Sequence, residues 1–295
     1  MTNSATNLSR KFNIQKIMSK IGIYFTLTFV ALCVLAPLYV VLVTSFKTKT
    51  EAMDPSFSFW PKEFDLHGYK EVLSYTAGGG DEIPTVIRGF INTMLICIPT
   101  SIVGVLVSAL AAFSFSKIRF KSKKVLFAIL LGTMMIPGTI SMIPSYIIFD
   151  TIGWTDSFLP LIVPGLLGSA SCVFFMRQFF YSIPDELIEC SQIDGLTNFG
   201  IFVRIILPLS VPALIAQFLL SFVGTYNAYL SPLIYLQSPD KYTLQIALKF
   251  FEGTYTRDWA VVMAGSAISL APTLVLFLFG QRHFIDGIAT TGIKM

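Results

Sequence analysis

Charged side chains are scarce in this 295-residue sequence: Asp, Glu, Lys and Arg make up 13% of it, against about 25% in a soluble globular domain. Hydrophobic residues reach 54% and the mean hydropathy is +0.71. That balance excludes an ordinary soluble enzyme, and it excludes a disordered chain, which needs dense charge and little hydrophobicity. Glycine (20) and proline (15) stay near average use, which removes collagen-like and mucin-like chains. Histidine is limited to His67 and His283. There is no H-E-x-x-H pair and no G-x-x-x-x-G-K-[ST] loop, so neither zinc-assisted peptide hydrolysis nor ATP hydrolysis by a phosphate loop is available to this chain. No metal ligand set and no bound cofactor are expected of it, and no nucleic-acid partner.

Cysteine is equally uninformative about extracellular bonding. Cys33, Cys97 and Cys172 fall inside apolar runs and Cys190 in a charged segment, so no disulfide is expected. A catalytic thiol would need a basic partner, and both histidines lie elsewhere in the sequence.

The missing charge is concentrated in six uncharged windows: Ile21 to Phe46, Gly89 to Ser116, Val125 to Phe149, Ser157 to Met176, Ile205 to Pro239 and Trp259 to Gln281. About 20 apolar residues cross the hydrocarbon core as a helix, so each window supports one crossing. The expected fold is an all-α membrane protein of six transmembrane helices. Arg10, Lys11, Lys16 and Lys20 precede the first window, while Lys117, Arg119, Lys121, Lys123 and Lys124 follow the second. Basic flanks mark the cytoplasmic side, so both termini are expected there. The first apolar run exceeds the h-region of a signal peptide and is followed by Lys47, Thr48 and Lys49, so it reads as a retained anchor.

The expected organisation is an N-terminal tail (1–20), a first membrane helix (21–46), an outer loop (47–88), a five-helix core (89–281) and a C-terminal tail (282–295). The outer loop, with Trp60-Pro61 and Gly78-Gly79-Gly80, reads as a small surface cap. Gln237 to Asp258 reads as another outer loop.

The windows contain no Asp, Glu, His, Lys or Arg, the groups that proton- and ion-coupled carriers place at membrane depth. Energy is therefore expected from outside the chain. Thr100, Gly104, Ser108, Ala112 and Ser116 recur at every fourth position, a small-residue face that admits a close helix neighbour, in this chain or in a second subunit. Prolines at 137, 144, 160, 164, 212, 232 and 272 interrupt the apolar windows, which is tolerated where protein or a water-filled path covers the freed carbonyls.

The inner loop 177–204 is unusual. Arg177 and Arg204 are its only basic residues, and Asp185, Glu186, Glu189 and Asp194 lie between them, against the basic bias of inner loops. Ser182 with Asp185 fits a capping box, Pro184 suits a first helical turn, and the early acids complement the positive helix end. Gly195 is expected to stop that helix in a left-handed conformation. Phe199, Phe202, Val203 and Ile206 then continue at helical spacing towards Pro208. An acidic helix is repelled by anionic lipid, so a protein partner is expected for this helix-turn-helix.

Glu189-Cys190-Ser191-Gln192-Ile193-Asp194-Gly195 resembles the E-A-A-x-x-D-G motif of ABC-importer permeases, with Cys190 and Ser191 in place of the two alanines and Leu196 where a third is usual. The resemblance extends over nearly the whole chain to the permeases of maltose-type (MalG-like) sugar importers, the inner membrane components of binding-protein-dependent transport systems. Tyr226-Asn227-Ala228-Tyr229-Leu230-Ser231-Pro232-Leu233 is similar to that family's W-N-x-x-L-x-P-L stretch, while Thr291 to Met295 departs from its G-A-V-K-G ending.

The resemblance implies a type I permease fold and a heteromeric importer. Its partners are an extracytoplasmic sugar-binding protein, a second and different permease chain, and two ATPase subunits that use ATP and Mg. This chain would be a non-catalytic pathway subunit in a bacterial or archaeal cytoplasmic membrane. By resemblance, Glu186, Glu189, Cys190, Ser191, Ile193, Asp194, Gly195 and Phe199 form the ATPase-coupling element, and Gly292, Ile293 and Lys294 reach the ATPase pair. Asn92, Gln217, Tyr226, Asn227 and Tyr229 are candidates for the substrate pathway, each weighed against an interhelical hydrogen-bonding role. An ABC permease for a non-sugar solute such as glycerol phosphate, and an autonomous carrier, are the alternatives.

Overall fold

The computed structural model of the chain describes residues 2–76, 83–254 and 258–292, with side chains from residue 18 onward except 251 and 282–292. All regular elements among the described residues are helical, as expected where no water is available to backbone groups at membrane depth. The chain divides into two compact units, Met1–Glu71 with Tyr255–Ala267, and Val72–Thr254 with Ile268–Met295.

The first unit is built on α1 (Thr2–Ser45), whose apolar part Met18–Ser45 is almost bare within the chain. Lys47 follows it and is 97% buried, because its Nζ donates to the Ser58 carbonyl at 2.8 Å and sits 4.4 Å over the Phe57 ring. The short α2 (Lys49–Ala52) is capped by Thr48, and its Glu51 carboxylate accepts from Ser58 Oγ and the Lys62 backbone N–H. Asp65 then caps the start of α3 (His67–Ser74) by accepting from the His67 N–H. Buried Asp258 closes the unit, with His67 Nε2 at 3.3 Å and Lys49 Nζ at 3.7 Å. The outer cap expected over 47–88 is thus a hydrogen-bonded structure as far as it belongs to this unit.

The second unit is organised around α4 (Thr85–Lys117). There follow α5 (Lys123–Met134), α6 (Gly138–Thr151), α7 (Leu159–Leu166), α8 (Ala170–Tyr181) and α9 (Asp185–Ile193). Next come α10 (Asn198–Ile201), a π turn over Phe202–Ile206 and α11 (Leu207–Leu209). The unit ends with α12 (Val211–Tyr226), α13 (Leu230–Tyr235), α14 (Leu244–Thr254) and the latter part of α15 (Trp259–Gly292). Its core joins Ala109, Ala112 and Phe113 of α4, Met176 and Phe180 of α8, and Ile201 and Ile206 beyond α9, all at most 2% exposed.

The small-residue face of α4 is filled by this same chain. A Cβ on Gly104 would stand 2.5 Å from the Gly165 carbonyl oxygen, and one on Gly168 would meet Ser108 Oγ at 2.3 Å. Gly168 also has φ +83°, a conformation that side chains resist. The α7–α8 junction therefore lies in van der Waals contact with α4, and the Ser169 N–H donates to Ser108 Oγ at 3.0 Å.

Three of the apolar windows are not straight rods. The third bends by 95° between α5 and α6, where Pro137 is the N-cap of α6, and the fourth breaks at Gly168. The fifth forms no single crossing helix: α10–α11 meet α12 at 81°, and α12 stops at Asn227 before α13 resumes with Pro232 inside it. In each case a proline lacks the N–H that would continue the ladder or a glycine takes a left-handed turn. Among the described residues, four helices are long and apolar enough to span a membrane, or up to six if each bent pair is one span.

Beyond α13, Asp156 (φ +53°) accepts from the N–H groups of Gln237 and Ser238 and from Lys241 Nζ, all at 2.9 Å. The outer segment expected as a loop contains α14, whose Leu244, Ile246 and Ala247 are buried; the Leu244 N–H donates to Thr93 Oγ1 of α4.

Because the Gly104 contact is with backbone, Gly104→Ala is expected to cost about 1–3 kcal/mol of stability. Gly132→Ala, where no described residue lies within 4 Å of the added Cβ, should be neutral or slightly stabilising. Thermal unfolding of the detergent-solubilised variants checks the difference.

Candidate functional site

The acidic segment emerges from the end of α8 and is built in a way the sequence pattern only partly foretells. Ser182 is not part of a capping box: its Oγ donates to the Phe179 carbonyl as the C-cap of α8, and Pro184 is the N-cap of α9 with no side-chain bond. Proline offers no side-chain acceptor, so the helix start is secured from outside. Lys117, at the end of α4, donates to the Ile183 carbonyl and to Asp185 Oδ1, both at 2.6 Å. Asp185 and Glu186 occupy the first turn, where carboxylates meet the positive end of the helix dipole. The Lys117 hydrogen bond and its charge hold the Asp185 carboxyl below the usual carboxylate range.

The far end of α9 is a complete Schellman motif. The Leu196 N–H donates to Ser191 O and the Gly195 N–H to Gln192 O, each at 3.0 Å, which satisfies two of the carbonyls that a helix end leaves open. Gly195 has φ +84° with no described residue within 4 Å of its missing Cβ, so glycine is favoured there by backbone conformation and not by space. Asp194 is the C-cap, and Thr197 Oγ1 then caps α10 by accepting from the Gly200 N–H.

One side of α9 is buried and the other is open. Ile188 and Ser191 face the core, with Ser191 Oγ donating to Leu187 O. Glu186, Glu189, Cys190 and Asp194 are exposed, while Ile193 is 85% and Phe199 65% exposed. The Phe199 ring meets Phe202, and Phe202 meets buried Phe113 of α4, as tilted pairs with centroids 6.4 and 5.5 Å apart. A polar cleft of about 440 Å³ separates α9 from the α4–α5 turn, lined by Lys117, Arg119, Lys123, Asp185, Glu189 and Gln192. The arrangement is a pair of short helices fastened at the start of α9 by Lys117 and presenting acids and two bare apolar side chains.

A second cavity, about 540 Å³, lies between α4, the α7–α8 junction and α12. Thr100, Ser108, Ser169, Ser171, Ser221 and Gln217 line it, and none of its lining residues is charged. Gln217 is 92% buried, and its amide makes no hydrogen bond among the described residues. Of the other pathway candidates, Asn92 donates to the Asp240 and Tyr242 carbonyls at 2.9 and 3.0 Å, and Tyr226 to Ser269 O at 2.8 Å. Asn227 is an exposed C-cap and Tyr229 an exposed residue outside this cavity. Gly292 ends α15, and Ile293 and Lys294 lie outside the described residues. The sequence reading missed Ser169, Ser171 and Ser221 because they belong to no motif; the hydroxyls on the small face of α4 were the available signal. Lys117, read only as a topology marker, is also the fastening of α9.

Residues 83–288 match the family model described as the binding-protein-dependent transport system inner membrane component. The chain belongs to that family. This permease is 30% identical to the arabinooligosaccharides transport system permease protein AraQ of Halalkalibacterium halodurans, over 90% of this chain and 93% of that one. It is also 30% identical to the sn-glycerol-3-phosphate transport system permease protein UgpE of Escherichia coli O1:K1 / APEC, over 86% of this chain and 90% of that one. Its fold matches a chain in the structure of a bacterial ABC transporter involved in the import of the acidic polysaccharide alginate, with TM-score 0.76 and 23% identity over 90% of this chain and 96% of that chain. The protein is therefore a membrane-embedded transport component of the ABC importer permease fold.

The Lys117–Asp185 contact has a pH signature. A carboxyl held below its ordinary value contributes stability above about pH 4 and loses it on further acidification. Asp185→Asn should therefore flatten the acid limb of the thermal midpoint against pH, with little change at pH 7 beyond the loss of one contact. Midpoints measured from pH 7 down to pH 3 check this.

Proposed function

We propose that this permease is one of two different membrane chains of an ATP-driven importer for a neutral sugar, most simply an oligosaccharide, and that α9 with the Gly195 turn is where ATPase motion enters the membrane domain. The observation that carries the reading is the construction of α9: its start is fastened to α4 by Lys117 and its Ile188 is buried in the core that α4 shares, while Ile193 and Phe199 stand exposed. Bare apolar side chains rimmed by acids suit a protein groove and not an anionic lipid surface.

In this reading both termini and α9 face the cytoplasm of a bacterial or archaeal cell, as the basic flanks favour. ATP and Mg act on the two ATPase subunits, and this chain binds no cofactor. An extracytoplasmic binding protein delivers the sugar to the opposite face, near the segment carrying α14. Gly292, Ile293 and Lys294 would extend towards the ATPase pair. The lever works only if nucleotide state changes the contact on α9, since a ligand shifts a two-state equilibrium by its differential affinity alone.

The uncharged cavity bears on the substrate. Hydroxyls with one buried amide can exchange hydrogen bonds with sugar hydroxyls, whereas an anionic solute would leave its charge uncompensated there. A relative named for sn-glycerol-3-phosphate keeps an anionic cargo as the second reading, and the absence of a cation among the residues lining this cavity favours the neutral one.

Glu189→Lys, Gly195→Asp and Ile193→Asp are each expected to leave membrane insertion intact and to reduce uptake and ATPase co-purification by at least about tenfold, the loss of about 1.4 kcal/mol of docking energy. Wild-type uptake in all three would remove the coupling role from α9. Gln217→Leu should lower uptake of a neutral oligosaccharide while ATPase co-purification stays normal; unchanged uptake would take Gln217 out of the pathway.

A further inference from the structure

The outer cap of the first unit carries a contiguous aromatic patch that neither the coupling element nor the pathway uses. Phe57 (45% exposed), Phe59 (75%), Trp60 (65%) and Phe64 (65%) form two ring pairs that adjoin in sequence at Phe59-Trp60, Phe57 with Phe59 at 5.4 Å and Trp60 with Phe64 at 5.8 Å. Four adjacent aromatics left this bare signify a contact surface, since exposed apolar residues on a soluble surface are usually scattered.

The level of the patch along α1 identifies what covers it. Tyr39 of α1 donates its hydroxyl to the Phe59 carbonyl. Tyr39 lies six residues before Ser45, the last residue of the helix, about 9 Å inward at 1.5 Å per residue. Helical side chains also tilt towards the N-terminus, which takes the Tyr39 hydroxyl further inward. The apolar part Met18–Ser45 has 28 residues, about 42 Å of helix. Centred on a hydrocarbon core of about 30 Å, it overhangs by about 6 Å at each end. The Phe59 backbone is therefore at or just inside the boundary between headgroups and acyl chains.

The backbone of the segment is prepared for that depth. A carbonyl in lipid has no water to bond, and here Ser58 O accepts from Lys47 Nζ and Phe59 O from the Tyr39 hydroxyl. Phe57 to Pro61 contains no charge, and Lys62 follows at once and is exposed, as a residue able to snorkel to the headgroups. Aromatic residues concentrate at this boundary because a ring suits the mixed polarity there.

We propose that Phe57, Phe59, Trp60 and Phe64 form an interfacial foot that rests in the bilayer at the end of α1 remote from the basic N-terminal segment, so that the patch binds lipid and not another protein. The foot fixes the depth of α1 and gives the cap a firm seat on the membrane.

The test uses the full chain co-expressed and purified with the subunits it assembles with, carrying Trp154→Phe and Trp259→Phe so that Trp60 is the only tryptophan in this chain. The signal of the partners is subtracted using the same complex with Trp60→Phe. In phosphatidylcholine vesicles containing lipids with a nitroxide at acyl position 5 or 12, Trp60 emission is expected to be blue-shifted, quenched most by position 5, and insensitive to aqueous iodide. Quenching by iodide with none from the lipids would place the patch in water, and a blue-shifted emission that neither quencher reaches would place it under a protein subunit; either result overturns the proposal. Should the tryptophan replacements prevent assembly, a fluorophore on Phe59→Cys, in a chain whose four native cysteines are serine, is read with the same quenchers, and each pattern of quenching carries the same meaning.

Discussion

The close approach of α4 to the α7–α8 junction is the contact on which the second unit depends. Gly104 lets α4 touch the Gly165 carbonyl, and Gly168 turns the chain so that Ser169 can both cap α8 and reach Ser108. That contact sets where α8 lies against α4, and α8 delivers the chain to α9. Lys117, just past the buried end of the same α4 face, then fastens the start of α9. A single helix thus lines the uncharged cavity with Thr100 and Ser108 and holds the proposed coupling helix at its end. Under the proposed coupling role, motion imposed on α9 would reach the cavity wall through Lys117 and α4, the short route that a lever between two states requires.

Much of this was legible in the amino-acid sequence. The uncharged windows gave the membrane class because lipid tolerates neither charge nor open backbone, and the early acids with Gly195 gave both ends of α9. The spacing of Thr100, Gly104 and Ser108 exposed a packing face without naming its partner, because small residues permit many neighbours and only the fold selects one. The Gly165–Gly168 partner face lay inside an apolar window read as one crossing, where Pro160 and Pro164 signalled an interruption without showing what it touches.

The capping-box reading failed for an instructive reason. Ser182 and Asp185 have the right spacing, but Pro184 lies between them and Lys117, more than sixty residues earlier in the sequence, supplies the bond that fixes Asp185. Local patterns cannot see a partner that arrives from another helix. Gln217 and Asn92 make the same point from the side chains: both are amides in apolar surroundings, yet Asn92 is committed to the carbonyls of Asp240 and Tyr242, whereas Gln217 faces a cavity. Sequence composition makes them equivalent and tertiary structure separates them.

The central claim is that the exposed side of α9 is covered by an ATPase in the assembled transporter. Cys190 offers a native probe, because it is exposed on α9 whereas Cys97 and Cys172 are buried and Cys33 lies in the apolar span of α1. The most direct measurement is the rate at which a membrane-impermeant maleimide labels Cys190 in the gently solubilised complex and in the permease stripped of its partners. Protection of Cys190 in the complex, with a short bifunctional reagent linking it to an ATPase subunit, is the predicted result. Equal labelling in both preparations and no such adduct would contradict the account.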